Sequence, residues 1–123
     1  MDAPQAVAAL SALAHDTRLS LFRLLVKRGP EGEAAGVLAE KLGIVPSSLT
    51  FHLQQLVHAG LITQRRSSRH IIYAANFATM NGLLSYLSEN CCAESVFADR
   101  LRPPACAGGN TASPTRTARK RAS

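Results

Sequence analysis

Residues 43–60 carry the clearest alternation of apolar and polar positions in the chain. Stepped at 100° per residue, Leu49, Leu53, Leu56 and Val57 fall on one stripe. Ser47, Ser48, Phe51, Gln54, Gln55 and His58 occupy the opposite face, with no acidic residue among them. Pro46 suits the first turn of the helix this predicts, where its missing N–H costs nothing, and Gly60 suits the stop. His52 falls near the core edge and is assigned to packing. An uncharged, donor-rich helix face suits the reading of DNA base edges, since amides can bond adenine bidentately and an exposed Phe can touch a thymine methyl. An ordinary amphipathic surface helix has the same pattern, so the neighbouring segments must decide.

Upstream, residues 3–14 are alanine-rich with Val7, Leu10 and Leu13 at helical spacing, a narrow edge that must dock on something to be stable. Asp16 or Thr17 is expected to cap the next helix, Arg18 to Arg28, whose Leu19, Leu21, Phe22, Leu24, Leu25 and Val26 make it the central core helix. After Gly29-Pro30, Glu33 to Leu42 is predicted as a third helix with Val37, Leu38 and Leu42 inward, ended by Gly43. Two short helices joined by the tight Gly43–Pro46 link make a helix-turn-helix, whose second member enters the major groove. Leu61–Arg65 and His70–Ala74 are rich in β-branched residues and read as two strands around a polar, basic connection. Arg65, Arg66 and Arg69 are placed at the tip of this hairpin, or wing, where they can meet phosphates or a narrowed minor groove.

From Asn76 to about Glu89, Phe77, Met80, Leu83, Leu84 and Leu87 recur at helical spacing, and Gly82 suggests close packing with another helix. The fold class is therefore mainly α with a β-hairpin wing, a winged helix-turn-helix. Homodimerisation through the first and last helices is the economical way to bury their apolar stripes. Residues 1–92 form the DNA-binding and dimerisation domain, 93–106 a cysteine-containing segment, and 107–123 a disordered basic tail.

Charge adds little to this picture. Of the net charge of +6, Arg116, Arg119, Lys120 and Arg121 supply four, leaving +2 for residues 1–102. Basicity thus points only weakly to nucleic acid, and the tail can equally be a solvated end. No apolar run approaches membrane-spanning length and no signal-like segment opens the chain, so a cytoplasmic location is expected. In that reducing compartment, metal, metalloid or redox roles outrank structural disulfides for Cys91, Cys92 and Cys106.

Fourteen positions separate Cys92 from Cys106, ample reach for the tail to fold back. Adjacent cysteines on an intact helix diverge by about 100°, so joint ligation requires a frayed helix end. Three thiolates with no hard oxygen ligand select soft ions. Trivalent arsenic or antimony takes three sulfurs, whereas zinc wants a fourth ligand. Cadmium or lead, a thiol redox switch pairing Cys106 with Cys91 or Cys92, and simple burial as small apolar residues are the alternatives. A thiol enzyme is disfavoured, because no Cys-x-x-Cys and no βαβ pattern is present, and no catalytic cofactor is implied. A protein-interaction module on the same fold is the remaining competitor, and a salt-dependent affinity for DNA would separate the two.

Ala12-Leu13-Ala14-His15-Asp16-Thr17-Arg18-Leu19 resembles the opening signature of the ArsR, or arsenical-resistance repressor, family. Leu38 to Gly43, Ser47 to Leu53 and Ala59-Gly60-Leu61-Ile62 extend the resemblance over roughly residues 5–88. It implies a symmetric dimer on double-stranded operator DNA with an inverted repeat, derepressed when a metal or metalloid binds. It also implies that Ser48, Thr50 and Phe51 face DNA. The family's Cys-x-Cys sensor has Ala34 and Gly36 at the matching positions, and its zinc site on the last helix is absent because residues 76–90 contain no His or Asp. Val45 stands where a capping Ser is usual. Some arsenic sensors of the family carry cysteines at the end of the last helix, so the resemblance favours As(III), with Sb(III) as a related inducer, held by Cys91, Cys92 and Cys106.

Overall fold

Leu21, Phe22 and Leu25 turn one face of a helix wholly inward, and the other elements gather on it. In the computed structural model the described residues are 1–94; Cys106, the tail 107–123 and all but the first two residues of the 93–106 segment lie outside them. The elements run α1 (Ala3–Leu13), α2 (Asp16–Arg28), β1 (Glu33–Ala34), α3 (Ala35–Leu42), α4 (Pro46–His58), β2 (Ile62–Ser67), β3 (His70–Ala75) and α5 (Phe77–Ser88). The chain divides into a unit of Met1–Leu83 and a second that begins at Leu84. The first contains the core: α2 packs on α1, α4 and β3, and α3 packs on α4.

The mainly helical, winged architecture agrees with expectation, and three local details differ. Residues 33–34 are not the start of the third helix. They form β1, antiparallel to β3 with Glu33 opposite Tyr73, so the hairpin becomes a three-stranded sheet of order β1-β3-β2. Gly32 makes this possible. Its φ is +73°, and a Cβ there would collide with the Tyr73 carbonyl. The cap of α2 is neither Asp16 nor Thr17: Asp16 is already helical, and His15 caps, its Nδ1 accepting the Thr17 N–H at 3.2 Å. On α1, alanines do the docking. Ala6, Ala9 and Ala12 are buried, because small side chains let the helix approach closely, while Val7 is 66% exposed and Leu10 also faces outward. Asp2 and Gln5 close a reciprocal capping box at the start of that helix.

α5 is capped by Asn76, whose Oδ1 accepts the Thr79 N–H. Leu83 is its buried residue. Gly82 has only Met1 Cε near the position of a missing Cβ, at 3.8 Å, so the helix packing its glycine suggested is not made within this chain's described residues. In the second unit, Leu84 and Leu87 are 53% and 57% exposed.

Candidate nucleic-acid interface

The recognition helix is held from below and open above. Leu49, Leu53 and Leu56 of α4 are 0–1% exposed, fixing the helix by burial against α1, α2, α3 and β2. Its approach is set by Gly43, whose left-handed φ of +66° ends α3 while the Ile44 N–H returns to the Ala39 carbonyl at 3.1 Å. The connection is then only Gly43-Ile44-Val45, with Pro46 already in the helix, and Val45 makes no side-chain cap. On the outer face Ser47, Ser48, Thr50, Phe51 and Gln55 are exposed and Gln54 is half-buried. Phe51 is 57% exposed, a large apolar side chain with no core to enter. Thr50 spends its hydroxyl hydrogen on the Pro46 carbonyl at 3.0 Å, leaving its lone pairs and methyl group outward. The face has no acidic residue, so nothing on it repels phosphate.

The wing separates three arginines that the sequence had placed together at its tip. β2 runs to Ser67, paired with His70, so the turn is the two residues Ser68-Arg69, with Ser68 at φ +58° as tight hairpin turns require at that position. Arg69 is at the tip. Arg66 lies within β2 opposite Ile71, exposed and without an intramolecular polar partner among the described residues. Arg65 is neither at the tip nor unengaged: it sits opposite Ile72 and its Nη2 donates to the Glu31 carbonyl at 2.8 Å. The reason is the short strand β1, which brings the loop after α2 beside the hairpin. The far end of that loop is itself tied down, since Glu33 forms ion pairs with both Arg28 at 3.3 Å and Lys41 at 3.6 Å.

A polar cluster beneath α4 was not read from the sequence as a unit. Arg18 Nε donates to the Ala12 carbonyl at the end of α1 at 2.7 Å, and its Nη1 lies 3.4 Å from His52 Nδ1 on α4. The rings of His52 and His15 are 4.7 Å apart, and Phe51 meets His52 edge-on at 5.6 Å. Burial, then the neighbouring His15 and Arg18, pushes His52 below the ordinary histidine value. The packing role expected of His52 thus includes a polar partner, which only the spacing of Arg18 and His52 across 34 residues could have signalled.

The cysteine pair lies past the last helix. α5 ends at Ser88, and Asn90 and Cys92 take φ of +59° and +63°, so the backbone reverses around Cys91. This undoes the helical divergence and brings the two Sγ atoms to 3.4 Å. Among the described residues no group of three His, Cys, Asp or Glu side chains is placed to hold a metal ion, and Cys106 lies outside them.

A helix-turn-helix domain model matches residues 13–65. The nodulation protein NolR of Rhizobium meliloti is 36% identical over 88 residues, spanning 72% of this chain and 70% of that protein. Among solved structures, NolR from Sinorhizobium fredii superposes with a TM-score of 0.56 at 37% identity, over 70% of this chain and 83% of that one. An ArsR-like transcriptional regulator from Rhodococcus sp. RHA1 gives a TM-score of 0.63 at 26% identity, over 80% and 87%.

Proposed function

The chain belongs to the ArsR family of winged helix-turn-helix transcriptional regulators, and we propose that it is a dimeric repressor released from its operator by arsenite. The outer face of α4 reads base edges in the major groove, through Ser47, Ser48, Thr50, Phe51, Gln54 and Gln55. Arg66 and Arg69 neutralise phosphates from the wing, and Arg65 holds the wing in place. Two recognition helices reach successive half-sites when α1 and α5 pair with those of a second copy; the outward apolar residues of these helices support that pairing, as does the description of a Mycobacterium bovis structural relative as homodimeric.

The observation that carries the inducer assignment is the 3.4 Å approach of the Cys91 and Cys92 sulfurs beyond the end of α5. Cys91 is disulfide-bonded in this structure, and its reduction places a second thiolate beside that of Cys92, two ligands for a soft ion, with Cys106 as the third. Bound As(III) favours release only if it binds the DNA-free conformation better than the DNA-bound one, which it does by drawing residues 92–106 against the helix end. No catalytic step or catalytic cofactor enters this proposal. A second reading, release on thiol oxidation, draws on the same sulfur approach and on the similarity to a Vibrio cholerae HlyU structure described as reduced.

The test is fluorescence anisotropy of the reduced full chain on DNA from upstream of its own gene, titrated with arsenite and with cadmium. Release by arsenite and not by cadmium, lost in Cys91→Ser, supports the arsenite reading. Release by peroxide but not arsenite replaces it with the redox reading.

A further inference from the structure

We infer that Arg18, together with His15 and His52, positions the recognition helix, and that this arrangement holds only while the His52 imidazole is neutral. Arg18 is one side chain with two acceptors on different elements: the last carbonyls of α1, through Ala12, and the imidazole of His52 on α4. A guanidinium donates only, so the His52 Nδ1 facing it must carry a lone pair and its proton must sit on Nε2. The same accounting applies to His15. Its Nδ1 accepts the Thr17 N–H that starts α2, so it too holds a lone pair there. The two rings then stack obliquely at 4.7 Å.

Protonation of His52 undoes this arrangement. A second proton on His52 turns the acceptor into a donor and sets a cation against the guanidinium. No carboxylate acts on His52 among the described residues: the groups that face it are His15, at the junction of α1 and α2, and Arg18 of α2. Nothing nearby therefore compensates the new charge, and the depressed proton affinity of His52 is the thermodynamic face of the same geometry. The N-terminal half of α4, which carries Ser47, Ser48 and Phe51, then loses its polar tie to the end of α1.

The consequence for DNA rests on the operator-binding reading above, and its sign is distinctive. Extra positive charge beside a recognition helix would tighten phosphate binding, whereas loss of the positioning contact weakens specific binding. At constant ionic strength the affinity for specific DNA is expected to fall about five-fold between about pH 7.5 and 5.5, the net value of one hydrogen bond. In His15→Asn/His52→Asn, each Asn keeps a neutral acceptor and cannot titrate in this range, and the affinity should stay level.

Two measurements decide. The first is an NMR titration of the free, full-length protein, which needs no DNA. The Arg18 Nε–H resonance should move with the midpoint of the His52 ring, and this midpoint should lie below 6.5. An Arg18 signal indifferent to pH, or one that moves equally in the double variant, overturns the proposal. The second is anisotropy on operator DNA across the same range, with circular dichroism to check folding. Tighter binding in acid, or an equal loss in the double variant, also overturns it. If the wild type binds no DNA at any pH while Arg18 follows His52, the operator reading fails and the positioning cluster stands. Should the double variant not fold, the wild-type titration decides alone.

Discussion

Replacing Arg69 by Ala removes a guanidinium that has no intramolecular partner among the described residues and sits at the turn of a solvent-exposed hairpin. Its effect should therefore be on DNA and not on folding. Each neutralised phosphate contributes about 0.9 to the slope of log affinity against log salt on duplex DNA. A dimer has two wings, so Arg69→Ala should lower the slope by about 1.8. Between 50 and 200 mM salt, a four-fold change, wild type should lose about twelve-fold more affinity than the variant. Anisotropy titrations on operator DNA at four or five salt concentrations read this directly, with urea unfolding as the control. Arg65→Ala is the contrast. Its guanidinium is committed to the Glu31 carbonyl, an exposed charge-assisted bond worth about 1 kcal/mol. That variant should unfold at lower urea and leave the slope nearer wild type. Equal slope changes for the two arginines, with no loss of stability for Arg65→Ala, would refute the division of roles along the wing.

Other consequences follow from burial and exposure. Leu53→Ala should cost about 2–5 kcal/mol, because the side chain is wholly enclosed, and calorimetry should show the lowered Tm. Val7→Lys and Leu87→Lys alter outward side chains, so each should fold normally, and sedimentation should find monomers that bind operator DNA poorly. The His52 proton affinity lies below its unfolded value, so the neutral ring's contribution to stability is complete above about pH 6.5 and lost as pH falls through the folded-state value. Urea midpoints should accordingly drop in acid more steeply for wild type than for His52→Asn.

Long periodic segments were legible because their apolar residues serve one core. The stripe Leu49, Leu53 and Leu56 and its uncharged back define α4 on the page, and the structure buries and exposes them accordingly. Short features that depend on partners were not. β1 has two residues, too few to display an alternation, and exists because β3 offers it an edge and Gly32 can approach the Tyr73 carbonyl. His15 as a cap runs against the preference for Ser, Thr, Asp or Asn, and its neighbour Asp16 satisfied that preference in the sequence. The three wing arginines look alike in one dimension; Arg65 is distinguished by a carbonyl 34 residues away. The convergence of Cys91 and Cys92 depends on two left-handed residues, neither of them glycine, that no pattern announces.

On the proposed function, soft-ion binding at the cysteines and DNA binding at α4 exclude one another. This exclusion is tested most directly by arsenite titration of the reduced protein on its own promoter DNA, for wild type and for Cys91→Ser, Cys92→Ser and Cys106→Ser. Arsenite should release wild type, while each variant should bind DNA normally and resist release. Equal release of wild type and all three variants would contradict it, as would wild-type DNA binding that arsenite leaves untouched.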